Sequence, residues 1–276
     1  MDISHDDVVG LICITMLVYD YGKRFTLLPS TTLEEYMENP TPLGDDSKTE
    51  ALQLLCKRTP HGIVKMFLDD KITDLQAGVT ISDERKKIYV VFRGSESLTD
   101  WMYDFKVFKR DLGDGIKVHG GFYKQLFKTN AYEKIKEVIH ALYNDDQYKC
   151  YELVITGHSL GASLATLFGY LICKTLDSTP VTVVSFASPR VGNDQWRKAF
   201  DLQPNLKHYR ISNQRDIITV CPFFNYYHVG TNICLSDERV SIELEYPLYE
   251  KTIFNCWSIK EHFCDLYFDR LLKHSW

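Results

Sequence analysis

Residues 157–161 read Gly157-His158-Ser159-Leu160-Gly161, between a β-rich run (151–156) and an apolar stretch (162–176). The run predicts a strand and the stretch predicts a helix, so the residues between them form a sharp turn. A G-x-S-x-G pattern in this setting is typical of a nucleophile elbow, which lifts a serine above a sheet. The two glycines leave the room that so tight a turn requires. We therefore predict that Ser159 is a nucleophile; the alternative is a serine that only caps the helix.

Strands and helices alternate on both sides of this turn. Two adjacent β-rich runs, 76–81 and 87–93, come before it and are followed by a helical stretch at 122–143. Further strands are predicted at 181–187 and 207–211. This alternation predicts an α/β fold with a mostly parallel central sheet flanked by helices. The active site of such a sheet lies at the carboxyl ends of its strands, here the loops after residues 93, 156, 187 and 211.

Length and composition favour one large globular unit. The chain has 276 residues, of which 45% are apolar, and it can bury a sizeable core. No repeat or linker divides it, so we expect a single domain over residues 1–276, with 1–75 the least certain part. The 32 basic and 37 acidic residues give a net charge of −5. Because nucleic-acid binding requires a basic surface, we expect no nucleic acid among the partners.

The eight cysteines are scattered, and several stand inside apolar runs, as reduced core cysteines do. They lack the close spacing of a zinc site, so we expect no bound metal. The apolar segment 8–19 follows an acidic stretch where a signal peptide is basic, and it is too short to span a bilayer. We expect an amphipathic first helix, no signal peptide, no transmembrane segment and an intracellular, cytoplasmic location.

A serine nucleophile requires a histidine to take its proton and an acid to orient that histidine. In this architecture both follow the serine in the chain, the acid first. The candidate acids are Asp194, Asp201, Asp216, Asp237 and Glu238. We favour Asp216 because it follows the strand 207–211 in a short polar turn, at the carboxyl edge of the sheet. The neighbouring Arg215 leaves an alternative, in which Asp216 only forms an ion pair.

Three later histidines are candidates for the base. His274 stands in a terminal segment that we expect to fray. His228 opens an apparent strand at 229–235, where histidines more often pack or form structural hydrogen bonds. His262 begins a helical stretch at 263–272, on a loop that can reach back over the sheet. We favour His262 and keep the other two open.

Further motifs stand in a fixed order around the elbow. They are Val91-Phe92-Arg93-Gly94-Ser95, Asp100-Trp101, Asp104, Val118-His119-Gly120-Gly121-Phe122, Phe186-Ala187-Ser188-Pro189-Arg190-Val191-Gly192-Asn193, the segment 213–222, Tyr227-His228-Val229-Gly230 and the segment 262–267. From about residue 76 to 267 the chain resembles the lipase class 3 family, fungal-type triacylglycerol lipase-like α/β-hydrolases. The first 70 residues match this family only loosely.

The resemblance implies an α/β-hydrolase fold with Ser159, Asp216 and His262 as its catalytic triad, in agreement with the choice made from the residues. It further implies that Ser95 and the backbone N–H of Leu160 form the oxyanion hole. No cofactor is required, because serine attack, proton transfer by histidine and the oxyanion hole complete acyl transfer to water.

In the family the segment after the oxyanion serine forms a lid, here residues 96–111. Its apolar side chains are Leu98, Trp101, Met102, Phe105, Val107 and Phe108. Such a cluster favours contact with lipid, and the alternative is that these side chains pack on the core. Thr219 stands where the family usually has a proline, a departure that affects the shape of that loop and not the carboxylate.

The resemblance and the intact triad together indicate a serine carboxylester hydrolase that acts on acyl lipids through an acyl-enzyme. Within that class a phospholipase A1, a galactolipase and an esterase for soluble esters stay open. A catalytically silent lipase-like binding protein is the rival from another class, because a fold does not fix a function. The expected partners are a lipid ester substrate and, transiently, a lipid interface. The sequence leaves the oligomeric state open.

Overall fold

The structure is a computed structural model that describes residues 3–21, 55, 57–58, 62–95, 108–176, 178–243 and 257–276. The strands in these ranges are β1 (Ile63–Asp70), β2 (Leu75–Ser82), β3 (Lys87–Phe92), β4 (Lys109–Asp111), β5 (Lys117–His119), β6 (Glu152–His158), β7 (Val181–Phe186), β8 (Leu206–Asn213), β9 (Thr231–Leu235) and β10 (Val240–Glu243). Eight of them form one sheet in the order β1-β2-β3-β6-β7-β8-β9-β10, and β4 pairs with β5.

The centre of the sheet is parallel and its margins are antiparallel. Strands β3, β6, β7, β8 and β9 run parallel to their neighbours in that series. Strands β1, β2 and β10 are added in antiparallel orientation. The predicted pair of adjacent strands is confirmed as the hairpin of β2 and β3. The predicted α/β class, with a mostly parallel sheet flanked by helices, is also confirmed.

The helices cover both faces of this sheet. They are α1 (His5–Asp20), α2 (Gly120–Phe127), α3 (Ala131–Tyr143), α4 (Leu160–Ile172), α5 (Asp194–Asp201) and α6 (Cys264–Lys273), with short 3₁₀ helices at Cys173–Thr175, Ile217–Val220 and Ile259–His262. Because side chains alternate along a strand, Ile88 and Val90 of β3 pack in one core with α2, α3 and α4. Tyr89 and Val91 pack on the opposite face with α1 and α6.

The single helical stretch predicted at 122–143 is wrong, because the chain breaks it into α2 and α3. Asn130 between them has a φ of 59°, in the left-handed region that ends a helix and that asparagine tolerates. Thr129 beside it donates its hydroxyl proton to the carboxylate of Asp70 in β1. The break therefore ends α2 and lets α3 begin anew, and the residue before Asn130 is tied to the edge strand β1.

The first helix differs from the expected amphipathic one. Helix α1 starts at the Ser4 cap, whose hydroxyl accepts from the backbone N–H of Asp7, and its residues are buried on nearly every side from Val8 to Val18. A helix that is apolar all round must be enclosed, and α1 lies between the sheet and α6. No helix in the part of the chain that the structure describes is long and apolar enough to cross a bilayer.

Candidate active site

The turn between β6 and α4 has the backbone of a nucleophile elbow. Ser159 lies at the turn with φ 58° and ψ −122°, a strained conformation for a residue with a side chain. A Cβ on Gly157 would lie 2.5 Å from the carbonyl carbon of Gly161, and one on Gly161 would lie 2.3 Å from the carbonyl oxygen of Phe92. Both glycines are therefore required, because β3, β6 and α4 approach one another there with only backbone between them.

Three side chains that are distant in sequence meet at this elbow. The Nε2 atom of His262 lies 2.8 Å from the hydroxyl oxygen of Ser159. The Nδ1 atom of His262 lies 2.8 Å and 3.0 Å from the two carboxylate oxygens of Asp216. All three residues are buried, with Ser159 only 1% exposed. The structure thus brings together the serine, histidine and acid that the sequence singles out, in the order that proton transfer requires.

The carboxylate of Asp216 is held in place by other donors as well as by the histidine. The backbone N–H of Ile218 donates to its Oδ1 atom at 2.9 Å. The hydroxyl of Tyr267 donates to its Oδ2 atom at 2.8 Å and accepts from the backbone N–H of Asn213. Burial beside Asp216 raises the pKa of Tyr267 well above its usual value, so that its hydroxyl keeps its proton. A fully hydrogen-bonded carboxylate keeps one orientation toward Nδ1 of the histidine.

The alternative of an ion pair between Arg215 and Asp216 is wrong. The guanidinium of Arg215 instead lies 3.0 Å from Glu261 and 3.7 Å from Asp237. Glu261 directly precedes His262 and also pairs with the buried guanidinium of Arg270. These ion pairs hold the short 3₁₀ helix that ends at His262, and they do not neutralise the carboxylate of Asp216.

The other two histidines lie away from the serine. His228 donates from Nε2 to the carbonyl oxygen of Thr219 at 2.6 Å, so it holds the loop that follows the acid. Burial, with Arg210 and Arg190 nearby, keeps the pKa of His228 well below its usual value. His274 lies on the surface and donates to the carbonyl oxygen of Asp237 at 3.2 Å. His262 is thus the histidine that contacts Ser159 among the three candidates.

The two residues predicted for the oxyanion hole flank the elbow. Ser95 follows β3 directly after Gly94, and a Cβ on Gly94 would lie 2.6 Å from the carbonyl oxygen of His158. Leu160 is the first residue of α4, where backbone N–H groups have no partner inside the helix. Both positions suit donors to an oxyanion beside Ser159, and the role itself stays a prediction.

The residues predicted to form the lid, Leu98, Trp101, Met102 and Phe105, lie outside the described residues. Phe108 at the end of that segment is described and is 52% exposed. Its carbonyl oxygen accepts from the hydroxyl of Tyr226 at 3.4 Å. Three further exposed phenylalanines follow Asp216 or His262 in the sequence: Phe223, Phe224 and Phe263.

The structure adds residues that the sequence does not single out. Tyr267 stands within a segment that resembles the family, but its bond to Asp216 spans 51 positions and leaves no local pattern.

Within the described ranges, no group of three His, Cys, Asp or Glu side chains is arranged to hold a metal ion. The described cysteines are free thiols: Cys13, Cys150, Cys173, Cys221, Cys234 and Cys264.

The family described as Lipase (class 3) matches residues 89–226. Phospholipase A1-II 1 of Oryza sativa subsp. indica is 31% identical over 170 residues, which cover 55% of this chain and 43% of the rice protein. A lipase of Rhizomucor miehei is 31% identical over 175 residues, which cover 60% of this chain and 46% of that lipase. The chain thus spans about half the length of the curated relatives it matches.

A solved structure shows the same architecture. It is a triacylglycerol lipase whose catalytic centre is described as a serine protease triad. It superposes with a TM-score of 0.68 at 25% identity, over 75% of this chain and 82% of the other. The likeness confirms the predicted α/β-hydrolase fold.

Proposed function

Because the chain belongs to the lipase class 3 family, we propose that it is a serine carboxylester hydrolase that acts on acyl lipids, as a triacylglycerol lipase does. The observation that carries this proposal is the buried contact of 2.8 Å between Ser159 Oγ and His262 Nε2, with Asp216 on the far nitrogen. A serine that only caps a helix would need no base. The similar triacylglycerol lipase with a serine protease triad supports the same assignment.

The reaction follows from these contacts. His262 Nε2 takes the hydroxyl proton of Ser159 as the oxygen attacks the ester carbonyl, which gives a tetrahedral oxyanion. Ser95 and the N–H of Leu160 stabilise that charge. His262 then gives its proton to the leaving alcohol, and an acyl-serine remains. Water repeats the sequence through the same base, which releases the fatty acid and restores the serine.

A phospholipase A1 is the second candidate function. The rice relatives named phospholipase A1 are as similar as the fungal lipase, at 31% identity in each of the two cases given above. Both activities break an ester between a glycerol oxygen and a fatty acyl group, so the same triad serves either. The difference lies in the head group that the substrate site accepts.

We also propose transient contact with a lipid interface. Exposed phenylalanine side chains close to the acid and the base in sequence support it, with Phe224 80% exposed and Phe263 51% exposed. An exposed aromatic side chain gains about 25 cal/mol for each Å² that leaves water. The predicted lid, centred on Trp101, would add to that apolar surface. The predicted cytoplasmic location stays a prediction.

The test of the chemistry is the variant Ser159→Ala. We expect the wild-type protein to hydrolyse p-nitrophenyl butyrate and to be labelled by a fluorophosphonate, and the variant to lose both. Residual turnover about 10³-fold above water is expected from the oxyanion hole and binding. His228→Ala removes the rival candidate for the base and should keep most of its labelling. A wild-type protein that binds lipid but never reacts would instead be the silent binding protein.

The test of the substrate class is a panel that varies acyl length and head group. The rate on a long-chain triacylglycerol should rise sharply where emulsion appears, and Trp101→Ser should weaken that rise while sparing soluble esters. Preference for a phosphoglyceride over the triacylglycerol would favour the phospholipase A1. A smooth saturation curve, unchanged in Trp101→Ser, would point to an esterase for soluble esters.

A further inference from the structure

One imidazole connects the first helix to the backbone of the proposed base. Tyr19 lies near the end of α1, and its hydroxyl oxygen is 3.2 Å from Nδ1 of His158, the residue before the nucleophile. The other ring nitrogen of His158, Nε2, lies 2.7 Å from the carbonyl oxygen of His262. The side chain of His158 thus links an N-terminal helix to the main chain of a residue 104 positions away in sequence.

The contacts fix which nitrogen of His158 carries the proton. A carbonyl oxygen only accepts, so Nε2 must be the donor toward His262. In a neutral ring Nδ1 then has a lone pair, and the Tyr19 hydroxyl donates to it. The ring is 5% exposed, and burial beside His262 keeps the pKa of His158 well below its usual value, which favours the neutral form.

We propose that Tyr19 is a positioning residue for the ester hydrolysis: its hydroxyl donates to Nδ1 and fixes the ring of His158, and the Nε2–H of that ring in turn holds the backbone of His262. The inference rests on the proposed function of Ser159 and His262. Without the Tyr19 hydroxyl the ring of His158 can turn, and its 2.7 Å hydrogen bond to the carbonyl oxygen of His262 would weaken. His262 would then move away from its contact with Ser159.

A second contact ties Tyr19 to the same region. Its hydroxyl packs directly against Gly94, where an added Cβ would lie 2.1 Å from that oxygen. Gly94 precedes Ser95, the proposed oxyanion donor. The rings of His158 and His262 also pack with their centres 4.8 Å apart, so a shift of one ring moves the other. The end of α1 therefore contacts the supports of both the base and the oxyanion hole.

The first experiment compares Tyr19→Phe with the control Tyr143→Phe, in which a half-buried hydroxyl that donates to the carbonyl of Tyr151 is removed far from the site. With p-nitrophenyl butyrate we expect kcat of Tyr19→Phe to fall about tenfold with KM within about twofold, because a 1 Å displacement of a catalytic group costs up to ~100-fold. Tyr143→Phe should keep kcat. Equal kcat in Tyr19→Phe and wild type would overturn the proposal.

The second experiment asks whether Tyr19 acts through His158. If it does, kcat of Tyr19→Phe/His158→Gln should equal that of His158→Gln alone. Loss equal to the product of the two single effects would mean that Tyr19 acts by another route and would overturn the proposal. Should His158→Gln fail to fold, His158→Asn takes its place in the cycle.

The third experiment needs no turnover, so it separates this inference from the proposed function. In protein labelled with ¹⁵N-histidine, the Nε2–H proton of His158 should resonate far downfield in wild type, as expected for a 2.7 Å hydrogen bond, and should move upfield in Tyr19→Phe as that bond weakens, with Tyr143→Phe unchanged. An unaltered Nε2–H proton shift in Tyr19→Phe refutes the positioning role. Inactive wild-type protein with the expected shifts refutes the proposed hydrolase and leaves the hydrogen-bond chain in place.

Discussion

Ser159 and His262 meet at 2.8 Å, but different kinds of structure hold them there. The serine is fixed by the backbone of β6 and α4, and glycines allow those elements to approach. The histidine ends a short 3₁₀ helix, Ile259–His262, that is held mostly by side chains. Asn213 donates from Nδ2 to the carbonyl of Glu261 at 2.7 Å, and Arg270 pairs with the Glu261 carboxylate. The position of the proposed nucleophile should therefore tolerate few changes of backbone, and that of the proposed base few changes of polar side chain.

Asp216→Asn should have the largest effect of the changes proposed here, because it alters the side chain that orients His262. The amide NH2 takes the place of Oδ2, the oxygen 2.8 Å from Nδ1, and donates to that nitrogen, so His262 turns to the wrong tautomer and kcat should fall by up to about 10⁴-fold. The fold should persist, because the N–H of Ile218 can still donate to the remaining oxygen. Steady-state hydrolysis of p-nitrophenyl butyrate measures this loss. A loss of only a few fold would mean that another acid orients the base.

Gly161→Ala tests whether the close approach of backbone segments fixes Ser159. The new Cβ would lie 2.3 Å from the carbonyl oxygen of Phe92, and since that atom belongs to a central strand, neither partner can rotate away. We expect a loss of about 3 kcal/mol in the free energy of unfolding, measured by urea denaturation. Gly78→Ala is the matched control, since its Cβ would meet no atom closer than 4.0 Å. If the two variants are equally stable, the close backbone approach at Gly161 does not limit which residue fits there.

Arg270→Ala tests the ion pairs behind the base. It leaves the buried carboxylate of Glu261 with Arg215 as a partially exposed partner, which should cost about 3 kcal/mol of stability. Because Glu261 adjoins His262, kcat should also fall. Arg197→Ala removes an exposed pair with Asp194 and should cost no more than about 1 kcal/mol. If both arginine variants unfold at the same urea concentration, the ion pairs do not support the base.

The smallest effect per residue concerns the histidines whose pKa values are lowered by burial, to about 4 in the first and well below the usual range in the others: His119, His158, His208 and His228. They stay neutral in the folded protein, while the unfolded chain binds protons below about pH 6.5. Stability should therefore be full above that pH and fall as the pH drops, by about 1 kcal/mol for each histidine between pH 6.5 and 5.5.

Urea denaturation across pH 5.5 to 7.5 measures this slope. His208→Gln should reduce it by about a quarter, because one of the four titrating groups is removed. Stability that is constant over the range would show that these rings bind protons equally in both states.

The elbow is predictable because its pattern is local: one strand, two glycines and one helix stand next to each other in sequence. The histidine proposed as the base is harder to predict, since His228 and His274 also follow the acid in sequence. The resemblance to the family selects His262, and the contact with Ser159, which joins residues 103 positions apart, distinguishes it from the other two by geometry. The hydrogen bond of Tyr267 to Asp216 is missed for the same reason, because an aromatic residue on a helix usually indicates only packing.

The misses in the fold have similar causes. The spacing of apolar residues across 122–143 is typical of one helix. Asn130, a single polar residue in a left-handed conformation, breaks that helix and leaves the apolar pattern in the sequence unchanged. Strand β1 is largely half-buried and carries no clear alternation, so it leaves little signal. The apolar character of α1 is plain in sequence, but its enclosure depends on α6 at the far end of the chain.

The contact between α1 and α6 also affects how the chain is made. His5 lies 2.7 Å from the carbonyl oxygen of Leu271, and these two residues are 266 positions apart. At about 5–20 residues per second, a ribosome completes that interval in roughly 13 to 50 s. Throughout that time an apolar helix has emerged without the element that covers it. Newly made chains should therefore bind chaperones through α1, and the molecule can acquire its final form only after translation has passed α6.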